Sequence, residues 1–255
     1  MKTKTINILA IGNSFSQDAC AYLHQTANAA GISTKVVNLY IGGCPLELHW
    51  QNAETGAQAY EYELNGHSTG TFISLEEALD EENWDVITLQ QASHDSGWLN
   101  SYEPFLGLLL GYIKERAPMA RILLHETWAY DASSTHPRFA RYHRDQSEMY
   151  ERLHECYSQM SAKYGLTVIP CGTLIQQMRS LAEFNVSTGG RSLCRDGFHM
   201  SLDYGRYLLS CVWLRKILGV SVVNNTFIPD NPALPEIPED TLLNLIRNTV
   251  DTFIQ

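Results

Sequence analysis

The sequence predicts an α/β domain in which a mainly parallel sheet carries helices on both faces. Apolar runs of strand length at 5–11, 35–41, 85–90 and 121–125, with a shorter one at 166–169, alternate with segments of helical periodicity. That order places crossover helices between parallel strands. The runs are apolar at nearly every position, whereas a strand with one wet face would alternate, so each is expected to be covered on both sides. Length agrees: 255 residues is long for one domain but ordinary for an α/β fold on a single sheet. Surface scaling has such a chain bury about 73% of its extended surface. One domain is expected over 1–255, its core at about 5–218 and a C-terminal helix at about 238–253.

The first strand runs into a helix at 17–30 that stops at Gly31, a residue free to take the left-handed conformation that ends helices. After the second strand comes a segment, 59–72, in which Tyr60, Tyr62 and Leu64 alternate with polar residues ahead of Asn65-Gly66. Asn-Gly suits a two-residue hairpin turn, so a small inserted hairpin is expected at an edge or rim, beside a five-stranded main sheet. The third strand leads to a helix at 102–116 that ends before Pro118, and the fourth to a long helix at 139–164 that ends at Gly165. The fifth is stopped by Pro170. Further helices are expected at 202–218, closed by Gly219, and at 238–253, entered through a Pro/Glu-rich loop.

Composition removes several function classes. The formal net charge is −10 and no block of Lys or Arg occurs, so a nucleic-acid backbone would be repelled. Cys20, Cys44, Cys156, Cys171, Cys194 and Cys211 form no CxxC pair and no regular framework, which argues against zinc ribbons and disulfide scaffolds and for reduced packing thiols. No apolar stretch is long enough for a membrane span, and the N-terminus shows no signal-peptide pattern, so a cytoplasmic protein without membrane or nucleic-acid partners is expected. Oligomeric state leaves no mark in the sequence.

Ligands of open parallel sheets bind beyond the carboxyl ends of the strands, where this chain is polar. The first strand ends in Gly12-Asn13-Ser14-Phe15-Ser16, the second in Gly42-Gly43-Cys44-Pro45, the third in Gln90-Gln91-Ala92-Ser93-His94-Asp95 and the fourth in His125-Glu126-Thr127-Trp128. Ser14 is the candidate nucleophile, because it lies between a buried strand and a helix whose first N–H groups face the same space. The competing reading makes Ser14 or Ser16 a plain helix cap. A serine needs a base and the base an orienting acceptor. Asp196-Gly197-Phe198-His199 offers both, since a turn lets the carboxylate reach the near ring nitrogen and frees the far one. Such a pair also arises by chance. No His-Glu-x-x-His or complete metal shell is present, so no metal or other cofactor is expected; His125-Glu126 could border the pocket.

Ile8-Leu9-Ala10-Ile11-Gly12-Asn13-Ser14-Phe15-Ser16 together with Asp196-Gly197-Phe198-His199 resembles the first and last blocks of the SGNH (GDSL-like) hydrolases. More narrowly the chain is similar to a branch of unknown function in which the first block reads GNSFS rather than GDS. The resemblance spans roughly 5–218 and implies a flavodoxin-like three-layer α/β/α sandwich with Ser14, Asp196 and His199 as catalytic triad of an esterase. It further implies an oxyanion hole made by the N–H groups of Ser14 and Gly43, with Gly42 the neighbouring alternative. The family's third block is usually Gly-x-Asn-Asp, whose Asn amide is another donor. Here the block reads Leu89-Gln90-Gln91-Ala92-Ser93, so Gln90 is expected to offer the amide. Trp128, Tyr130 and Trp98 follow strand ends and could wall the pocket for a sugar ring, or simply pack. The expected reaction is hydrolysis of a small ester, a carbohydrate O-acetyl group above all. The competing readings are a sugar-binding relative with an impaired hole, and an acyltransferase or phosphoesterase on the same fold.

Overall fold

A computed structural model describes residues 4–254. The chain runs β1 (Ile6–Gly12), α1 (Ser14–Cys20), α2 (Leu23–Ala29), β2 (Thr34–Tyr40), α3 (Leu46–Thr55), β3 (Tyr60–Leu64), β4 (His67–Ile73), α4 (Leu75–Glu81), β5 (Val86–Leu89), α5 (Phe105–Arg116), β6 (Arg121–His125), α6 (Gln146–Tyr164), β7 (Thr167–Ile169), α7 (Cys171–Arg179), α8 (Tyr204–Leu218) and α9 (Asp240–Phe253). The strands form one sheet in the order β4-β3-β2-β1-β5-β6-β7. Strands β2, β1, β5, β6 and β7 are parallel, and their buried residues, such as Ile8 to Ile11 and Val86 to Leu89, are sealed by helices on both faces. Helices α1, α2, α7, α8 and α9 form one contact network and α3, α4 and α5 another, while α6 packs against β7 and α7.

The sheet has seven strands where five were expected. The hairpin is not a separate rim element: β3 pairs antiparallel with β2, from Val37 opposite Leu64 to Tyr40 opposite Glu61, and so extends the main sheet. Asn65 and Gly66 turn it with φ of 52° and 87°. Only glycine fits at 66, because a Cβ would lie 2.2 Å from the carbonyl oxygen of Ala21.

Two long helices are broken. The helix expected at 17–30 begins at Ser14 and is interrupted at Ala21 and Tyr22, where Gly66 of the hairpin turn comes close to the Ala21 carbonyl. The helix expected at 139–164 is a 3₁₀ segment, Pro137–Tyr142, followed by α6. His143 and Arg144 are both left-handed, φ 51° and 57°, and the Asp145 carboxylate then accepts from the Glu148 N–H to start α6. Three helices went unanticipated. The α4 start is a capping box, Ser74 with Glu77; α3 and α7 each begin directly after a proline. Among the described residues no helix is long and apolar enough to cross a membrane.

Candidate active site

The turn after β1 is built for close approach. A Cβ on Gly12 would sit 2.5 Å from Ser16 Oγ and 3.0 Å from the Gln90 side chain, so no larger residue fits without displacement. Asn13 caps α1: its Oδ1 accepts the Phe15 N–H at 3.0 Å. Ser14 is therefore the first helical residue rather than the cap, and Ser16 Oγ is spent on the Asn13 carbonyl at 2.8 Å. The N–H of Ser14, like that of Gly43 in the turn after β2, has no acceptor among the described residues.

His199 reaches Ser14 from the far end of the sequence. Its Nδ1–H donates to Asp196 Oδ2 at 2.6 Å, which leaves Nε2 to accept from Ser14 Oγ at 2.9 Å. Asp196 Oδ1 accepts the N–H groups of Phe198 at 3.2 Å and His199 at 2.8 Å. Partial burial disfavours its charge, but the hydrogen bonds from the His199 ring and from these N–H groups outweigh that and hold the carboxyl below its ordinary value. Gly197 is left-handed, φ 87°, and a Cβ there would strike Ser134 at 2.9 Å.

The turn that bears His199 is clamped onto helix α1. Asp18, one helical turn beyond Ser14, is fully buried and accepts from the Met200 N–H at 2.8 Å, from Arg195 at 2.9 Å and from Arg206 at 2.8 Å. Phe15, stacked on Trp128 at 4.0 Å, and Phe198, at 4.1 Å from the imidazole, flank His199. Ser14 and His199 open onto a pocket of about 250 Å³, shared with Gly42, Gly43, Tyr40, Ser93, His94, Tyr130, His136 and Phe198. A larger hollow of about 990 Å³ at the opposite ends of the strands, around Lys4, Asn7, Trp84 and Arg121, has no Ser, Thr, Cys or His among its lining residues.

Several expected wall residues lie elsewhere. Gln90 is behind the pocket: its amide nitrogen donates to Asn13 Oδ1 at 2.8 Å, its oxygen accepts from His125 Nδ1 at 2.8 Å, and only 1% of it is exposed. His125 is fully buried, and burial pushes its imidazole down to about 3, so it is neutral and does not border the pocket. Trp128 lies beneath Phe15 with its indole N–H on the Phe198 carbonyl at 2.7 Å. Trp98 packs against the guanidiniums of Arg141 and Arg152, at 4.8 and 5.0 Å. Tyr130 does line the pocket, its hydroxyl 2.9 Å from Ser93 Oγ.

The residues that take the vacant places were not singled out. His94 is braced by Asp95, Nε2 to Oδ2 at 3.2 Å, and Asp95 is in turn paired with Arg141. His136 packs on Phe198 and Tyr130 with ring centroids 4.9 and 4.8 Å away. Its Nδ1 accepts the Arg138 N–H at 3.2 Å, so the proton of the neutral ring sits on Nε2. Burial, and then the nearby His94, His199 and Arg138, push its imidazole below the ordinary value. A histidine beside a third-strand end was readable; one delivered by a 3₁₀ segment hidden in a helical pattern was not. Among the described residues no group of three or more His, Cys, Asp or Glu side chains could hold a metal ion.

Comparison with known proteins places the chain in a family. The model of the "Domain of unknown function (DUF4886)" matches residues 7–236. The crystal structure of a DUF4886 family protein from Bacteroides uniformis is 35% identical, with 98% of this chain and 95% of that one covered, at a TM-score of 0.87. More distant structures share the fold. A candidate SGNH hydrolase from Slackia heliotrinireducens is 19% identical over 84% of this chain and 100% of that one, TM-score 0.56. The acetylxylan esterase Axe2 from Geobacillus stearothermophilus is 14% identical over 88% and 99%, TM-score 0.55. No functionally curated protein matches the chain. The chain belongs to the DUF4886 family, and its three-layer fold is that of the SGNH hydrolases.

Proposed function

We propose that this protein is a serine esterase that removes a small acyl group, an O-acetyl carried by a carbohydrate, through an acyl-serine intermediate. The observation that carries the reading is the unbroken chain Ser14 Oγ to His199 Nε2, 2.9 Å, and His199 Nδ1 to Asp196, 2.6 Å. As Ser14 Oγ attacks the ester carbonyl, His199 takes its proton and Asp196 stabilises the imidazolium. The carbonyl oxygen becomes an oxyanion, met by the N–H groups of Ser14 and Gly43. His199 then hands the proton to the leaving alcohol. In the second half it deprotonates water, which attacks the acyl-serine carbonyl, and the proton returns to Ser14 as the acid departs.

The pocket supports a small and neutral acyl group: about 250 Å³ is available, and the chain's net charge of −10 disfavours a polyanion. The partly exposed rings of Phe198 and His136 at its wall provide faces on which a sugar can lie, and the fold is shared with an acetylxylan esterase. The test compares wild type and Ser14→Ala on 4-nitrophenyl acetate and on acetylated oligosaccharides. Wild type is expected to release acetate and the variant to be inactive. Sugar binding by calorimetry with no turnover of any ester would move the reading to a carbohydrate-binding protein.

A further inference from the structure

The amide expected to supply the oxyanion hole, Gln90, points away from the pocket, toward Asn13 and His125. We infer that Asn13, held by Gln90 and His125, is the positioning residue that fixes both backbone donors of the hole, so that a buried Asn13–Gln90–His125 chain replaces a direct side-chain donor. This inference rests on the esterase reading of Ser14.

The polarity of the chain is forced. Asn13 Oδ1 accepts the Phe15 N–H at 3.0 Å, and Asn13 Nδ2 donates to the Cys44 carbonyl at 3.1 Å. Turning the amide over would set N–H against N–H and oxygen against oxygen, so its orientation is fixed. With Oδ1 as acceptor, Gln90 must present its amide nitrogen, at 2.8 Å, and therefore turns its oxygen toward His125. His125 must then carry its proton on Nδ1. That tautomer leaves Nε2 as a bare lone pair, and Nε2 is indeed without a partner. All three side chains are at most 1% exposed, so none of these bonds is exchanged for water.

What Asn13 touches makes it a positioning device. Through Oδ1 it sets the first turn of α1, which presents the Ser14 N–H. Through Nδ2 it ties down the turn after β2, one residue beyond Gly43 and its N–H. One amide thus spans the turns that carry the two donors. Gln90, from the end of β5, and His125, from the end of β6, anchor that amide to the sheet's centre. A shift of the amide by a fraction of an ångström moves both donors relative to the nascent oxyanion, and an error of about 1 Å in such a site costs roughly 100-fold in rate.

The experiment compares wild type, Gln90→Met, Asn13→Ala, the double variant and Ser14→Ala in the full chain, using 4-nitrophenyl acetate as substrate and phenylboronic acid as a tetrahedral mimic. Asn13→Leu, which keeps the side-chain volume but offers neither acceptor nor donor, takes the place of Asn13→Ala should that variant fail to fold. Gln90→Met is expected to lower kcat about 10- to 100-fold with KM little changed, and to weaken phenylboronic acid by a similar factor. Because Gln90 acts through Asn13, the double variant should be no slower than Asn13→Ala alone. Wild-type kcat in Gln90→Met, or losses that multiply in the double variant while Ser14→Ala is inactive, would overturn the positioning role alone. Wild-type activity in Ser14→Ala would overturn it together with the esterase reading.

Discussion

Asp18→Ala tests whether one buried carboxylate holds the two halves of the site together. The side chain is fully buried, whereas its partners Arg195 and Arg206 retain 31% and 16% exposure. Removing one member of a buried ion network costs about 3–5 kcal/mol. Both guanidiniums can still reach water, so the low end applies, about 3 kcal/mol, or a fall in Tm of about 6–12 °C for a chain of this size. The Met200 N–H, next in sequence to His199, loses its acceptor as well. His199 is then no longer held against α1, and kcat should drop by about 100-fold, the scale set by a misplaced catalytic group. Asp18→Asn keeps an acceptor without the charge and should fall between. Circular-dichroism melting and steady-state turnover of 4-nitrophenyl acetate read the two effects. An Asp18→Ala protein that melts within 2 °C of wild type and retains its kcat would refute the clamp.

His136→Ala should raise KM for an acetylated oligosaccharide about tenfold, the scale of one lost contact of about 1.4 kcal/mol, with kcat within about twofold; a fall in kcat alone would place His136 in the chemistry instead. All six cysteines are buried and free, and burial pushes thiols such as Cys44 and Cys211 up to about 12. A thiol reagent at pH 8 should leave the native protein unmodified and label six sites after unfolding, so rapid native labelling would contradict that burial. The Glu126 carboxylate beside His154 raises its imidazole above the ordinary value. A raised folded-state value means that the contribution of His154 to stability is complete below the unfolded-state value, about 6.5, and is lost as pH rises through the folded one. The Tm difference between wild type and His154→Ala should therefore be larger at pH 5.5 than at pH 9, and an opposite trend would be inconsistent with this pairing.

The parallel core was legible because its strands are covered on both faces, which leaves an unmistakable apolar run in each. The contact between Ser14 and the Asp196–His199 turn was legible because each partner depends on local features: a strand end, a helix start, a spacing of three. Gln90 shows where such reading stops. Its side-chain direction is dictated by Asn13, 77 residues away, whose own orientation follows from Phe15 and Cys44. Trp128 and Trp98 follow strand ends as expected, but stacking on Phe15 and on two guanidiniums turns them from the pocket. The break at His143 and Arg144 has no glycine or proline to announce it. The hydrophobic period continues across it, and only Asp145 with Glu148 marks a new start. The hairpin's turn was plain in Asn65-Gly66, whereas its union with the main sheet depends on β2 having a free edge.

The most direct measurement is peptide mass spectrometry of protein mixed with 4-nitrophenyl acetate and quenched in acid during turnover. An acetyl group on Ser14 in wild type is expected, absent from Ser14→Ala together with at least about 10³-fold of the turnover. Acetate release by Ser14→Ala at the wild-type rate, or an acetyl group found only on another residue, would contradict a catalytic Ser14.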